Sequence, residues 1–241
     1  MKINKTDILV VIPARSGSKG LPGKNIKELD GKPLINYTID AAKEIFDIPQ
    51  IIVSTNDASI AKIAKANGAN IPFLRPEELA QDDSSTRDVI LHLVEYFEGK
   101  KTMPPIIVLL QATSPLRNSR HLSEALNLFF QKDCDMVVSV SESEISPYFN
   151  LYEENKQGYL KQSKDGIFSR RQDVPPAYEY NGAIYIFKTK SIVESEMKDF
   201  KKIVKYIMSK NDSVDIDDEF DWKLAEYILA NGKGEKNEPN S

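Results

Sequence analysis

Three unbroken apolar runs constrain the architecture more than any other feature: Ile8-Leu9-Val10-Val11-Ile12, Ile51-Ile52-Val53 leading into Ser54-Thr55, and Ile106-Ile107-Val108-Leu109-Leu110. A strand with one wet face alternates apolar and polar residues, so continuous runs of this kind mark strands buried on both faces, as in a parallel sheet covered by helices. The intervening chain supplies those helices. Leu34, Ile35, Ile39, Ala42 and Ile45 form one stripe of a helix from Leu34 to Phe46, opened by Gly31-Lys32-Pro33. A second helix, Ala58 to Ala66, has Asn56 or Asp57 as its cap and Asn67-Gly68 as its stop. Further helices are expected up to Phe97, from Ser119 to Gln131 and near Ser191 to Met197. Further strands are expected near Ala69 to Leu74, at Met136 to Ser141, Asn181 to Phe187 and Ile203 to Met208. This alternation predicts an α/β fold built from βαβ units, with a mostly parallel sheet between helical layers.

The loop leaving the first strand carries the clearest chemistry. Gly17, Gly20 and Gly23 let backbone N–H groups approach an anion, and Arg15, Lys19 and Lys24 place three cations within ten residues. Ligands of open α/β sheets bind at the carboxyl ends of strands, where this loop must lie. The glycine spacing excludes the dinucleotide fingerprint G-x-G-x-x-G, and Asn25 after Gly23-Lys24 excludes the P-loop. The strand ending at Leu110 is followed by Gln111-Ala112-Thr113-Ser114-Pro115-Leu116-Arg117, where Gln111 is placed to hydrogen-bond a sugar or base. Arg117, His121 and His92 are assigned structural roles.

Near the end of the chain, Asp212 to Asp221 holds six acidic residues among ten. Alternation in a strand would put Asp215 and Asp217 on one face, where two carboxylates can share a hard divalent cation such as Mg²⁺. Asp218, Glu219 and Asp221 suit the start of a helix from Phe220 to Asn231, with Asp217 or Asp218 as its cap.

Between Glu142 and Tyr180 the periodicity weakens into short alternating pieces with turn residues, the pattern of hairpins projecting from the sheet. Arg170 and Arg171 lie there, as an anion site or a solvated rim. The net charge of −4 argues against a nucleic-acid polymer or an anionic membrane as general partner. Cys134 is the only cysteine, which excludes an internal disulfide and a multi-cysteine metal site. No apolar run reaches the length of a membrane span, and the polar start Met1 to Lys5 leads into a core strand, so a cytoplasmic protein is expected. One domain is expected over 1–231, with 142–180 as an insertion and 232–241 as a disordered tail.

The run Ala14-Arg15-x-x-Ser18-Lys19-Gly20-Leu21-Pro22-x-Lys24-Asn25 resembles the nucleotide-binding loop of the cytidylyltransferases that activate sialic and related nonulosonic acids. Leu110-Gln111-x-Thr113-Ser114-Pro115-Leu116-Arg117, Arg75-Pro76, Asn181-Gly182-Ala183-Ile184-Tyr185 and Asp215-Ile216-Asp217 match further signature positions in order. The resemblance implies a three-layer, Rossmann-like nucleotidyltransferase domain whose 142–180 insertion mediates homodimerisation. It implies transfer of CMP from CTP to the anomeric hydroxyl of a nonulosonic acid, with Mg²⁺ as cofactor and pyrophosphate as co-product. Ala14, Arg15, Ser18, Lys19, Lys24 and Asn25 are implied to hold the triphosphate, and Arg75 and Thr86 the cytosine and ribose. Gln111, Asn181 and Arg171 are implied to lie at the sugar, Arg171 across the subunit boundary. Asp215 and Asp217 are implied to bind the metal, and Arg15, Lys24 and Asp217 to act in catalysis, with Asp217 or a metal-bound hydroxide as the candidate base. Where such enzymes often carry an arginine before Asn-Gly-Ala, this chain has Glu179, which widens the sugar from N-acetylneuraminate to legionaminic or pseudaminic types. A cytidylyltransferase for the eight-carbon sugar Kdo and a non-catalytic CTP-binding module are the alternatives.

Overall fold

A computed structural model of the chain describes residues 7–17, 20–168 and 170–232. Strands β1 (Ile8–Pro13), β2 (Glu28–Leu29) and β3 (Lys32–Pro33) precede helix α1 (Leu34–Lys43). Then come β4 (Ile51–Ser54), α2 (Ala58–Ala66), α3 (Thr86–Gly99), β5 (Ile106–Leu109), α4 (Ser119–Gln131) and β6 (Met136–Glu142). A small hairpin, β7 (Tyr152–Glu154) with β8 (Leu160–Gln162), is followed by β9 (Tyr178–Lys188), α5 (Thr189–Glu194), β10 (Ile203–Ile207) and α6 (Glu219–Gly232).

Six strands form the central sheet in the order β10-β6-β9-β5-β1-β4. β1 pairs in parallel with β4 and β5, and β10 in parallel with β6. β9 runs antiparallel to both neighbours and joins the two parallel groups. The expected α/β class with a mostly parallel sheet therefore holds. The apolar runs behave as strands buried twice over. Val10 and Ile12 pack with Ile35 and Ile39 of α1, Ile60 of α2 and Leu122 of α4. Leu9 and Val11 face the other way, onto Ile90 and Leu93 of α3 and Ile192 of α5. Period-two alternation thus feeds two separate cores, one on each side of the sheet.

Two local readings change. The expected strand from Ala69 to Leu74 reduces to a single parallel bridge, Asn70 to Ile52, because Pro72 has no N–H to extend the ladder. The Asp215–Asp217 segment is not a strand but an extended stretch before α6. Alternation survives there, because Ile216 N donates to Thr113 O at 2.9 Å and its side chain is fully buried with Trp222 and Leu34. Of the two caps considered for α2, Asp57 is the one used, accepting from the Ser59 and Ile60 amides, while Asn56 accepts from Ser16 N. For α6 the cap is Asp218, which accepts from Phe220 N and Asp221 N.

Candidate active site

The carboxyl ends of β1 and β5 open into a cleft of about 610 Å³. The segment from Asp215 to Asp218 forms its far wall, reached only after the chain has passed through β10. A second cavity of about 240 Å³ shares Ala14, Arg15, Asp82 and Gln111 with the first and adds Arg75 and Thr86. The site therefore has a larger acidic-and-basic half and a smaller half around a buried arginine.

Lys24 joins the loop after β1 to the acidic segment. It follows Gly23, held at φ 69° where a side chain would be strained, and opens a 3-10 turn over Lys24–Ile26. Its side chain is buried, yet its ammonium reaches Asp217 Oδ1 at 2.9 Å and also donates to the Ile216 carbonyl. The Asp217 carboxylate is largely exposed. Gly20 has a steric role the sequence alone does not disclose: a β-carbon there would collide with the Asp217 carbonyl oxygen. Asn25 braces the same loop by donating from Nδ2 to Arg15 O at 3.0 Å, and its buried Oδ1 has no partner.

Asp215 lies deeper. Its carboxyl is held above the usual carboxylate range, first by burial and then by Asp217 and Asp221, with the Thr113 hydroxyl and Lys24 opposing. Asp215 Oδ1 is buried without a hydrogen-bond partner. Gly182, at φ 74°, lets β9 pass close by, since a β-carbon there would stand 3.0 Å from Asp215 Oδ2. A buried carboxylate with an unsatisfied oxygen suits a cation, and two carboxylates with open space toward a phosphate loop suit Mg²⁺ better than an ion that needs a full protein cage. Among the described residues no group of three or more His, Cys, Asp or Glu forms such a cage.

The smaller half is built on Arg75, whose amide donates to Thr55 O at 2.7 Å. Its guanidinium is buried and its Nε has no partner. Burial pushes its pKa down, Arg15 adds to this and Glu77 opposes it. A cation in that condition favours a ligand that brings hydrogen-bond acceptors. Thr86 lines the same cavity as the first residue of α3, whose cap Ser85 accepts from Asp88 N. Gln111 lines both cavities.

Ala14, Arg15, Lys24, Asn25, Arg75, Thr86, Gln111, Asp215 and Asp217 thus meet at one sheet edge, while Ser18 and Lys19 lie outside the described residues. Asn181 and Arg171 are placed differently. Asn181 is buried beside the cleft wall, its Oδ1 accepting from Ser139 Oγ at 2.6 Å and from Ala183 N, its Nδ2 donating to Ser213 Oγ at 2.8 Å. That network pins the irregularity between β6 and β9 to the segment leading to Asp215. Arg171 is exposed on a 3-10 turn and donates to Glu144 O at 2.9 Å. Glu179 accepts from the Ser143 hydroxyl. Two cleft residues were missed from the sequence. Thr113 is a matched signature position to which the sequence assigns no role, and Asp82, which pairs with Arg15 at 2.8 Å, is not singled out by it at all. Asp82 had no local signal, whereas Thr113 stands two residues beyond Gln111 at a strand's carboxyl end.

The histidines carry the expected structural roles: His92 packs edge-on against Phe73, and His121 accepts from Asn118 N at the start of α4.

Comparison with known proteins gives the family. The family model described as "Cytidylyltransferase" matches residues 9–229. The chain is 35% identical to CMP-N,N'-diacetyllegionaminic acid synthase of Legionella pneumophila, over 92% of this chain and 96% of that protein. It is 38% identical to N-acylneuraminate cytidylyltransferase of Streptococcus agalactiae, over 87% of this chain and 50% of that longer protein. The solved structure of CMP:2-keto-3-deoxy-manno-octonic acid synthetase complexed with CTP shares the fold, with a TM-score of 0.68 at 19% identity, covering 93% of this chain and 99% of that one. With a family model matched over residues 9–229 and a 35% identical relative covered over 96% of its length, this chain belongs to the cytidylyltransferase family of enzymes.

Proposed function

We propose that the chain transfers CMP from CTP to the anomeric hydroxyl of a nonulosonic acid. The observation that carries this reading is the Lys24–Asp217 contact, which brings a phosphate-binding loop and an acidic pair to the two sides of one cleft. The named function of the Legionella relative supports the sugar class.

In this reaction the anomeric oxygen attacks the α-phosphorus of CTP, the bond from that phosphorus to the bridging oxygen breaks, and pyrophosphate leaves. Arg15 and Lys24 balance the charge that develops on the departing pyrophosphate, a contribution of about 3 kcal/mol for a preorganised donor. Ala14, Ser18, Lys19 and Asn25 complete the phosphate loop. Arg75 and Thr86 take the cytosine and ribose, and Gln111 the sugar. Asp217, exposed to the cleft, is the candidate acceptor of the hydroxyl proton. Asp215 and Asp217 would hold Mg²⁺, which would supply charge neutralisation at the phosphate oxygens. Asn181 serves the sugar side through the backbone it fixes, beside Ser139 and Ser213.

The insertion fits a homodimer. Its hairpin exposes Tyr152, Tyr159 and Leu160, apolar side chains on a two-stranded element too small to bury them itself. A second copy would cover them and bring Arg171 toward the neighbouring cleft.

Pyrophosphate release from CTP and Mg²⁺, assayed in parallel with N-acetylneuraminate, legionaminate, pseudaminate and Kdo, tests the reading. Turnover of a nine-carbon acid is expected. Turnover of Kdo alone would reassign the sugar, and CTP binding without pyrophosphate release from any acid would reduce the chain to a binding module.

A further inference from the structure

Arg117 is one of the most deeply buried charged groups in the protein, at 2% exposure, and it lies outside the phosphate and metal machinery. Its Nη2 donates to Thr38 Oγ1 at 2.6 Å, to Gln111 O at 3.3 Å and to Ser114 O at 3.4 Å. Thr38, itself fully buried on α1, donates from the same hydroxyl to Gln111 O at 3.2 Å. Among the described residues no carboxylate pairs with Arg117, and its Nε and Nη1 have no partner. Burial brings its pKa down to about 9.

Filling this space would not require a cation. A desolvated charge held only by neutral oxygens is expensive, and an apolar residue of similar volume fills such a site at lower cost. What an apolar residue cannot do is draw oxygens of two separate elements to one point. Of the oxygens drawn here, Thr38 Oγ1 belongs to α1 and the Gln111 and Ser114 carbonyls to the loop that follows β5. Gln111 lines both cavities. Thr113 lines the larger one, and its carbonyl accepts from Ile216 N at 2.9 Å, directly between Asp215 and Asp217. The nucleotide side has backbone anchors of its own, with Ala14 N donating to Ser54 O, Arg75 N to Thr55 O and Asn25 to Arg15 O, and it meets the acidic segment through Lys24.

We propose that Arg117 and Thr38 form a buried clamp that positions Gln111, Thr113 and the Asp215–Asp217 segment for the sugar half of the reaction, without serving the nucleotide grip. Both are positioning residues, and the proposal rests on the transfer reading given above.

Thr38→Val, which keeps the shape and removes the shared hydroxyl, and Arg117→Lys, which keeps the charge and removes the fork, test it in the full chain. Three quantities are read: the CTP Kd by calorimetry without metal, kcat/KM for the sugar by pyrophosphate release, and hydrogen exchange at Ile216 N–H. For Thr38→Val, kcat/KM for the sugar should fall about tenfold, the worth of one buried hydrogen bond, while the CTP Kd stays within about twofold. Exchange at Ile216 should accelerate while Ile107 to Leu109 of β5 stay protected. Arg117→Lys should show the same split. An unchanged sugar kcat/KM in both variants would overturn the clamp. So would a CTP Kd weakened in parallel with it, or exchange accelerated equally through β5, since those mark ordinary packing. If the wild-type chain turns over no sugar, the transfer reading fails by itself, and the CTP Kd and the Ile216 exchange still decide whether the clamp exists.

Discussion

Lys24 and Asp217 stand 193 positions apart in the chain and 2.9 Å apart in space, with the ammonium buried and the carboxylate open to the cleft. The cation of the phosphate loop therefore rests against the acidic wall. A triphosphate entering the cleft finds that cation already oriented, so no side-chain ordering has to be supplied at the moment of reaction. Lys24→Ala should lower kcat by about 100- to 1,000-fold, the range for loss of one preorganised donor. Circular dichroism and the Tm check that the fold is intact. Normal turnover by the folded variant would remove Lys24 from the chemistry.

Asp215 lies where ionisation works against stability. Its carboxyl titrates above its ordinary value, chiefly because it is buried, so at neutral pH the folded state bears the cost of an ionised, desolvated group. The sign follows: the cost is complete above the raised pKa and disappears as pH falls below the ordinary carboxylate value. Asp215→Asn should raise the metal-free Tm at pH 7, with the gain shrinking as the pH is lowered, and should abolish Mg²⁺-dependent turnover. Thermal unfolding at several pH values checks the first part. A lower Tm at neutral pH would show that the carboxylate is stabilising where it lies.

The Arg15–Asp82 pair borders both cavities, so an Arg15 that turns to a bound phosphate gives up Asp82. Partly exposed pairs of this kind are worth about 0.2–1 kcal/mol. Asp82→Asn should therefore tighten CTP binding, by up to about fivefold at low salt, measured by calorimetry. Weaker binding would instead make Asp82 part of the ligand's support.

Gly182 combines a left-handed backbone with close approach to Asp215 Oδ2. Gly182→Ala should cost about 1–2 kcal/mol in stability from the backbone alone, and it should displace the carboxylate as well. Turnover is then expected to fall by more than the Tm loss explains. A variant with lowered Tm and full activity at low temperature would confine Gly182 to the turn.

Much of the site was legible from residue types because its chemistry is local in character. Cations among glycines after a buried strand, a glutamine after another, and a pair of aspartates ahead of a capped helix each carry their meaning within a few positions. Asn181 was harder to read. Nothing nearby distinguishes an asparagine that meets a ligand from one whose amide ties Ser139 to Ser213, because those partners lie 42 and 32 residues away. Asp82 carries no readable role in the sequence for the same reason, since its partner Arg15 belongs to a loop 67 positions away.

The sequence by itself determined which segments are doubly buried strands, which helices cover them, and which chemical groups crowd the loops, because burial and backbone preference are written in periods of two and 3.6 residues. Tertiary structure alone decided that β9 runs against its neighbours, that Gly20 is needed beside Asp217, and that Arg117 gathers the loop after β5. Those outcomes depend on which distant segments meet. Steric fit and the pairing of buried polar groups set that, and no local pattern records it.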